Sequence, residues 1–317
     1  MSCLYPVEIH VLLSTLRSSM QGVMPTIFHD VRKIPPQYQR MYRETRRPCG
    51  YCIECRLNKS RNLAMRCLHE ASVHEQNCFL TLTLNDTHLP NDLSLDTDTM
   101  QRFWKRFRRR IEPTKIKYYS AGEYGDPDRG ERKINPHYHA CVFNYDFPDK
   151  KYYKTVNGNK YYKSALLDDL WGYGDCIIGD VTFESAAYVA RYTIKKVYGE
   201  TADAHYDGRL PEKSWSSQGL SAEWFEKYKS DVYPLDEVII RGVPCKPPPY
   251  YDRLLLRDDP AAYADLLDKR AAQKIINSKN NLDLIRFHDK NGKPLTMSVS
   301  DYVLRDKLKT GQLDHER

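Results

Sequence analysis

Residues 79–84 read Phe-Leu-Thr-Leu-Thr-Leu, and this alternation constrains the fold more than any other stretch of the chain. A period of two puts Leu80, Leu82 and Leu84 on one face of a strand and Phe79, Thr81 and Thr83 on the other. Such a strand has to bury its apolar face, so it predicts a sheet with helices packed on it. Two further segments join it: Ile116–Ala121, ended by Gly122 and Gly125, and His137–Tyr145, which reads HYHACVFNY. Residues 126–135 between them are a polar turn rich in Gly, Asp and Arg. Helical spacing runs through Asn58–Glu75 (Leu63, Cys67, Ala71), Asp98–Ile111 (Phe103, Trp104, Phe107) and Phe183–Tyr198, which Gly199 stops. A later helix is expected over Pro260–Ser278. The pattern predicts an α+β fold with a central antiparallel β-sheet, the His137 strand in its middle and helices on one face. An N-terminal Cys-rich segment (1–75) precedes this core (76–200), and a C-terminal extension (201–317) follows it.

Charge is patched rather than spread. The chain of 317 residues has a net charge of +7, but Arg32–Arg66 alone carries +8 and Asp98–Glu112 carries +4. The remainder is therefore net acidic, and the two basic segments are the expected footprint for phosphates. A charged share of 29% with 41% hydrophobic residues excludes a disordered or fibrous chain. No run approaches the ~20 apolar residues of a membrane span. Nine cysteines, an odd number, with no basic segment before the apolar stretch Val11–Leu16, point to a reducing compartment rather than a disulfide framework.

Three groups of residues carry candidate chemistry. On a strand, His137 and His139 project side by side from one face, as two ligands of one metal require. Glu123, at the end of the preceding strand, is a candidate carboxylate ligand, and two imidazoles with one carboxylate suit Mg2+ or Mn2+ over a phosphodiester. On the helix, Tyr188 and Tyr192 are one turn apart, with Arg191, Lys195 and Lys196 nearby. Two phenols with cations beside them suit nucleophiles aimed at a phosphate. An ordinary amphipathic helix with surface tyrosines reads the same way.

Taken in order, FLTLTL, the acidic strand end, Pro136-His137-Tyr138-His139 and Tyr188-x-x-x-Tyr192-x-x-Lys195 resemble the three motifs of rolling-circle replication initiators, the HUH endonucleases. The paired tyrosines resemble those of microvirus initiators. The texture of Cys49–Arg56 and of Trp224–Tyr228 is similar to the gokushovirus branch. The resemblance covers most of residues 48–257. It implies a site-specific single-strand DNA endonuclease that starts and ends rolling-circle replication of a small phage genome through a 5′-phosphotyrosine. In that reading His137 and His139, with Glu123, hold Mg2+ or Mn2+. Tyr188 and Tyr192 are the nucleophiles, and Lys195 with Lys196 is the motif cation. Arg191 stands where relatives often have Lys, which keeps the charge but not the compact ammonium. Implied partners are single-stranded and origin DNA in a bacterial host cytoplasm. No Gly-Lys-Ser/Thr phosphate loop is present, so unwinding falls to a host helicase and copying to a host polymerase. A relaxase or transposase of the same chemistry is the nearest alternative, and a non-catalytic nucleic-acid-binding module with a zinc knuckle is a more distant one.

Cys49, Cys52 and Cys55 supply three thiolates, one short of a structural zinc site, with Cys67, His69 and His74 as candidate fourth ligands. The helix cations Lys105, Arg106, Arg108, Arg109 and Arg110 are candidate DNA contacts, while Phe103, Trp104 and Phe107 are expected to pack on the sheet.

Overall fold

A computed structural model describes residues 7–12, 27–125, 135–197, 199, 201–280, 284–288 and 294–298. The elements in chain order are β1 (Val7–Leu12), β2 (Ile27–Phe28), β3 (Tyr42–Arg47), α1 (Ile53–Ser72), β4 (Asn77–Thr83), α2 (Thr97–Arg110), β5 (Lys117–Glu123) and β6 (His137–Phe143). They continue with β7 (Lys151–Val156), β8 (Asn159–Lys163), α3 (Ala165–Trp171), β9 (Cys176–Gly179), α4 (Phe183–Lys195), α5 (Ala202–Tyr206) and β10 (Lys213–Ser216). Last come α6 (Ala222–Leu235), β11 (Val238–Ile240), β12 (Val243–Cys245), α7 (Pro249–Asp258), α8 (Pro260–Asn280), β13 (Leu284–His288) and β14 (Pro294–Ser298).

The chain divides into two compact units, residues 1–58 with 275–317 and residues 59–274. In the first, β1 lies between β2 and β3 in a three-stranded antiparallel sheet, with Val7 opposite Arg47 and Leu12 opposite Tyr42. In the second, seven strands form one antiparallel sheet in the order β10-β5-β6-β4-β9-β8-β7. The α+β expectation therefore holds, and the His strand β6 is an interior strand. Every residue of β6 is buried.

The alternation seen in the sequence sorts the core into two faces. Leu80 and Leu82 of β4 join Tyr138, Ala140 and Val142 of β6 beneath α2 and α3, where Phe103, Trp104, Phe107, Leu167 and Trp171 pack. Phe79, Tyr119, Cys141 and Phe143 point the other way, against Ala64 and Cys67 of α1 and Ala186, Val189 and Ala190 of α4. Helices thus cover both faces, which corrects the expectation of helices on one face. Both residue sets of β6 are apolar along most of its length, so neither face could be left to water.

Two polar devices fix the His strand lengthwise. The Tyr138 hydroxyl accepts from the Asp96 N–H (2.9 Å) and donates to the Asp96 carbonyl (2.8 Å). Asp96 is itself the N-cap of α2, its carboxylate accepting from the N–H groups of Asp98 and Thr99. Gly122 sits opposite Tyr138, and a Cβ there would lie 3.2 Å from the Tyr138 ring and 2.9 Å from Leu95 Cδ2. The residue between the two histidines is thus a buried clamp onto α2 rather than a spacer.

Candidate active site

Sheet register assembles the site. Glu123 of β5 lies directly opposite His137 of β6, and Thr81 of β4 lies directly opposite His139. Side chains of directly opposed residues share a face, so Glu123, His137, His139 and Thr81 all project on the side covered by α1 and α4. Glu123 Oε1 is 2.9 Å from His137 Nε2 and 3.3 Å from His139 Nε2. One ligand atom from each of the three residues falls within 4.8 Å of the others.

Both rings are held from behind. His137 Nδ1 is 2.8 Å from the Asn135 carbonyl, which only accepts, so this nitrogen carries a proton and donates. His139 Nδ1 is 3.1 Å from Thr81 Oγ1. These contacts leave each Nε2 aimed at the carboxylate. Burial raises the Glu123 carboxyl, but hydrogen bonds from His137 and then His139 outweigh it and hold the group well below the usual carboxylate range. Three electron-pair donors this close need protons or a cation between them. Two imidazoles, one ionised carboxylate and outer contacts that fix the rings fit a divalent ion.

The tyrosine helix reaches this cluster because its inner face is small. The α4 N-terminus is fixed by a reciprocal cap: Thr182 Oγ1 accepts from the Ser185 N–H, and Ser185 Oγ accepts from the Thr182 N–H. Ala186, Val189 and Ala190 are fully buried against the sheet and let the helix backbone approach closely. Tyr188, at the margin of that face, meets the cluster. Its hydroxyl donates to Glu123 Oε1 at 3.4 Å, and its ring stands edge-on to His139 with centroids 5.1 Å apart. Tyr192, Lys195 and Arg191 lie on the same helix, and their side chains are outside the described residues. Lys196 is the C-cap of α4 and lines a cleft of 570 Å³ with Asp203, Tyr206 and Arg209.

A family model for replication-associated proteins of the ORF2 type matches residues 77–197, the span from β4 to the end of α4. The chain is 31% identical over 281 residues to replication-associated protein VP4 of Bdellovibrio phage phiMH2K, covering 83% of this chain and 87% of that protein. It is 33% identical over 296 residues to replication-associated protein ORF4 of Chlamydia phage 1 (85% and 71%). To replication-associated protein ORF2 of Spiroplasma virus 4 it is 32% identical over 226 residues (67% and 68%). The chain belongs to the phage replication-associated proteins. No solved structure matches it.

Within this phage replication-associated protein, the other residues singled out in the sequence are placed apart from the histidine cluster. Helix α2 covers the opposite face of the sheet, so its cations do not border His137 and His139. Arg106 is committed to structure: its guanidinium donates to the carbonyls of Leu170 and Trp171, both at 3.0 Å, and to Tyr173 Oη at 3.2 Å. Those carbonyls close the C-terminal end of α3. Lys105, Arg108, Arg109 and Arg110 are exposed, and Arg108 stands over the Tyr118 ring. The aromatics Phe103, Trp104 and Phe107 pack inward, as the sequence predicts.

Cys49, Cys52 and Cys55 form a second group of closely spaced potential ligands. Cys67 does not belong to it. It lies more than three turns further along α1, buried in the core, where burial pushes its thiol well up and a hydrogen bond with Cys141 adds to the rise. His69 stacks on Trp224 with centroids 3.6 Å apart and hydrogen-bonds Tyr251 Oη, and His74 pairs with Glu70. Sequence reasoning missed Thr81 and the Asn135 carbonyl. Thr81 was visible as a polar residue sharing the Phe79 face, but only register assigns it to His139. Among the described residues, no helix is long and apolar enough to cross a membrane.

Proposed function

We propose that this protein nicks and rejoins single-stranded DNA at an origin, initiating and ending rolling-circle replication of a small phage genome. The observation that carries this is the convergence of Glu123, His137, His139 and the Tyr188 hydroxyl on one point. The names of the phage relatives, all replication-associated proteins, support the same reading.

A Mg2+ or Mn2+ ion held by Glu123, His137 and His139 would neutralise charge on the scissile phosphate and orient it. The chain's own groups then do the following. Thr81 and the Asn135 carbonyl keep both imidazoles turned with Nε2 toward the substrate. Tyr188 Oη attacks phosphorus, a P–O bond to tyrosine forms, and the bond from phosphorus to the 3′-oxygen breaks. The phenol loses its proton, the departing oxygen gains one, and the 5′ end stays on the enzyme. The reverse attack by a 3′-hydroxyl rejoins the strand with no external energy source. Tyr192, one turn on, serves as the second nucleophile, so that one tyrosine holds a 5′ end while the other cuts the next copy. Lys195, Lys196 and Arg191 at the end of α4 supply positive charge for the same phosphate. The basic face of α2 binds DNA away from the site, and a host helicase and polymerase supply unwinding and synthesis.

The test is an origin-bearing oligonucleotide with Mn2+ or Mg2+. Nicked product and a covalent protein–DNA adduct are expected, both lost in His137→Ala while binding is largely kept. Binding with no cleavage at any metal concentration would overturn the proposal in favour of a non-catalytic DNA-binding module.

A further inference from the structure

Three thiols take no part in the chemistry above. Cys49, Cys52 and Cys55 follow strand β3 and open helix α1. None of the described cysteines is in a disulfide. The Cys49 and Cys55 sulfurs are 3.9 Å apart, and all three sulfurs lie within 4.8 Å of one another. Two thiolates on one tetrahedral zinc, each ~2.3 Å from the ion, stand ~3.8 Å apart. An iron–sulfur cluster takes its cysteines on separate irons and spreads their sulfurs wider than this. The spacing therefore selects a single ion.

Two further observations fit a metal-bound thiolate set. The backbone N–H of Cys52 donates to Cys49 Sγ at 3.3 Å, an outer contact that steadies a sulfur carrying negative charge. Cys55 sits in the first turn of α1, where the helix presents its positive end. Cys52 and Cys55 are buried and Cys49 is half-buried, which suits a closed structural site rather than a reactive thiol.

A closed zinc site takes four ligands. Cys67, His69 and His74 are committed elsewhere, as described above. Cys3 lies outside the described residues. It is four residues from Val7, and Val7 pairs with Arg47, two residues before Cys49. Four residues of chain reach up to ~14 Å, so Cys3 is within tether length of the three thiols.

We propose that Cys49, Cys52 and Cys55 bind one zinc ion, with Cys3 as the fourth thiolate. The ion ties the segment before β1 to the junction of β3 and α1, inside the segment that carries the largest basic excess. Binding forms Zn–S bonds, releases the thiol protons to solvent and changes no oxidation state.

The experiment uses the full chain purified under reducing conditions from zinc-supplied cells. An organomercurial that modifies thiols is titrated while released zinc is counted. Zinc-edge X-ray absorption counts sulfur neighbours, and cobalt exchange reports thiolate-to-metal charge transfer. The expected results are one zinc per chain released only as thiols react, a sulfur shell of four at ~2.3 Å, and charge-transfer absorption in the cobalt form. The sulfur shell should fall to three in Cys3→Ser. Zinc bound through nitrogen and oxygen alone, which would place it at Glu123, His137 and His139, overturns the proposal. So does a metal-free protein with Cys49 joined to Cys55 as a disulfide. A wild-type shell of three sulfurs that Cys3→Ser leaves unchanged overturns the assignment of Cys3. These readouts are made on wild-type protein, or on a variant outside the three-thiol set, so insolubility of Cys52→Ser would not obscure them, and none depends on DNA cleavage.

Discussion

Thr81→Val tests whether the sheet itself orients the metal ligands. Thr81 is half-buried on an interior strand, and its Oγ1 is 3.1 Å from His139 Nδ1. Valine keeps the β-branched shape and favours a strand, so the substitution removes one hydroxyl and little else. The direct stability cost is that of one neutral hydrogen bond, about 1 kcal/mol. The cost at the site is larger. Losing an outer partner of a metal-binding histidine lowers metal affinity or activity by ~10–100-fold, or about 1.4–2.7 kcal/mol. The assay is nicking of an origin oligonucleotide across a Mn2+ titration, beside urea unfolding of the same preparation. The midpoint in Mn2+ should rise by at least ~10-fold, with an unfolding midpoint close to wild type. Thr81→Ser, which keeps the hydroxyl, should restore most of the affinity. If Thr81→Val nicks at the wild-type metal concentration, the hydroxyl does not hold the ring and the ligand geometry has another source.

Three further outcomes follow from the same contacts. Tyr138→Phe strands the buried N–H and carbonyl of Asp96, and should cost ~1–3 kcal/mol in denaturant unfolding. Arg106→Ala should destabilise the fold by leaving the last carbonyls of α3 without their donor, whereas Arg109→Ala, fully at the surface, should leave stability unchanged and weaken DNA binding in a salt-dependent way. Burial lowers His69 from 6.5 to about 4. The unfolded chain therefore takes up this proton first, so the contribution is full above about pH 6.5 and is lost as pH falls toward 4, by up to about 3 kcal/mol. Urea unfolding between pH 7 and pH 4 checks it, and His69→Gln should flatten the slope.

Much of the site was legible because its geometry is periodic. The period of two places His137 with His139, and the helical period places Tyr188 one turn from Tyr192. Glu123 is legible as the residue ending the strand before them. What alternation cannot say is which face a helix covers. Phe103, Trp104 and Phe107 require a sheet to pack on, and either face of β4 and β6 offers an apolar one. The basic helix α2 was therefore free, on sequence grounds, to border the histidines, yet it lies behind them. Thr81 depends on register across β4 and β6, which no single strand encodes. The edge strand β10, Lys213–Ser216, is too short to show a pattern. Strands β7 and β8 do carry a signal, Asn157-Gly158 with positive φ at both residues, between two tyrosine-rich runs. Cys67 sits at helical spacing from Leu63 and Ala71, and that spacing marked it as core. Its thiol is held by Cys141 there, so proximity in sequence to Cys55 was a poor guide to its partner.

The most direct measurement of the central claim is peptide mapping of the covalent adduct formed with an origin oligonucleotide and Mn2+. The account predicts a 5′-phosphate on Tyr188 or Tyr192 and on no other residue, and no adduct in the Tyr188→Phe, Tyr192→Phe double variant. An adduct that persists in that variant, or that maps to a residue outside α4, would contradict it.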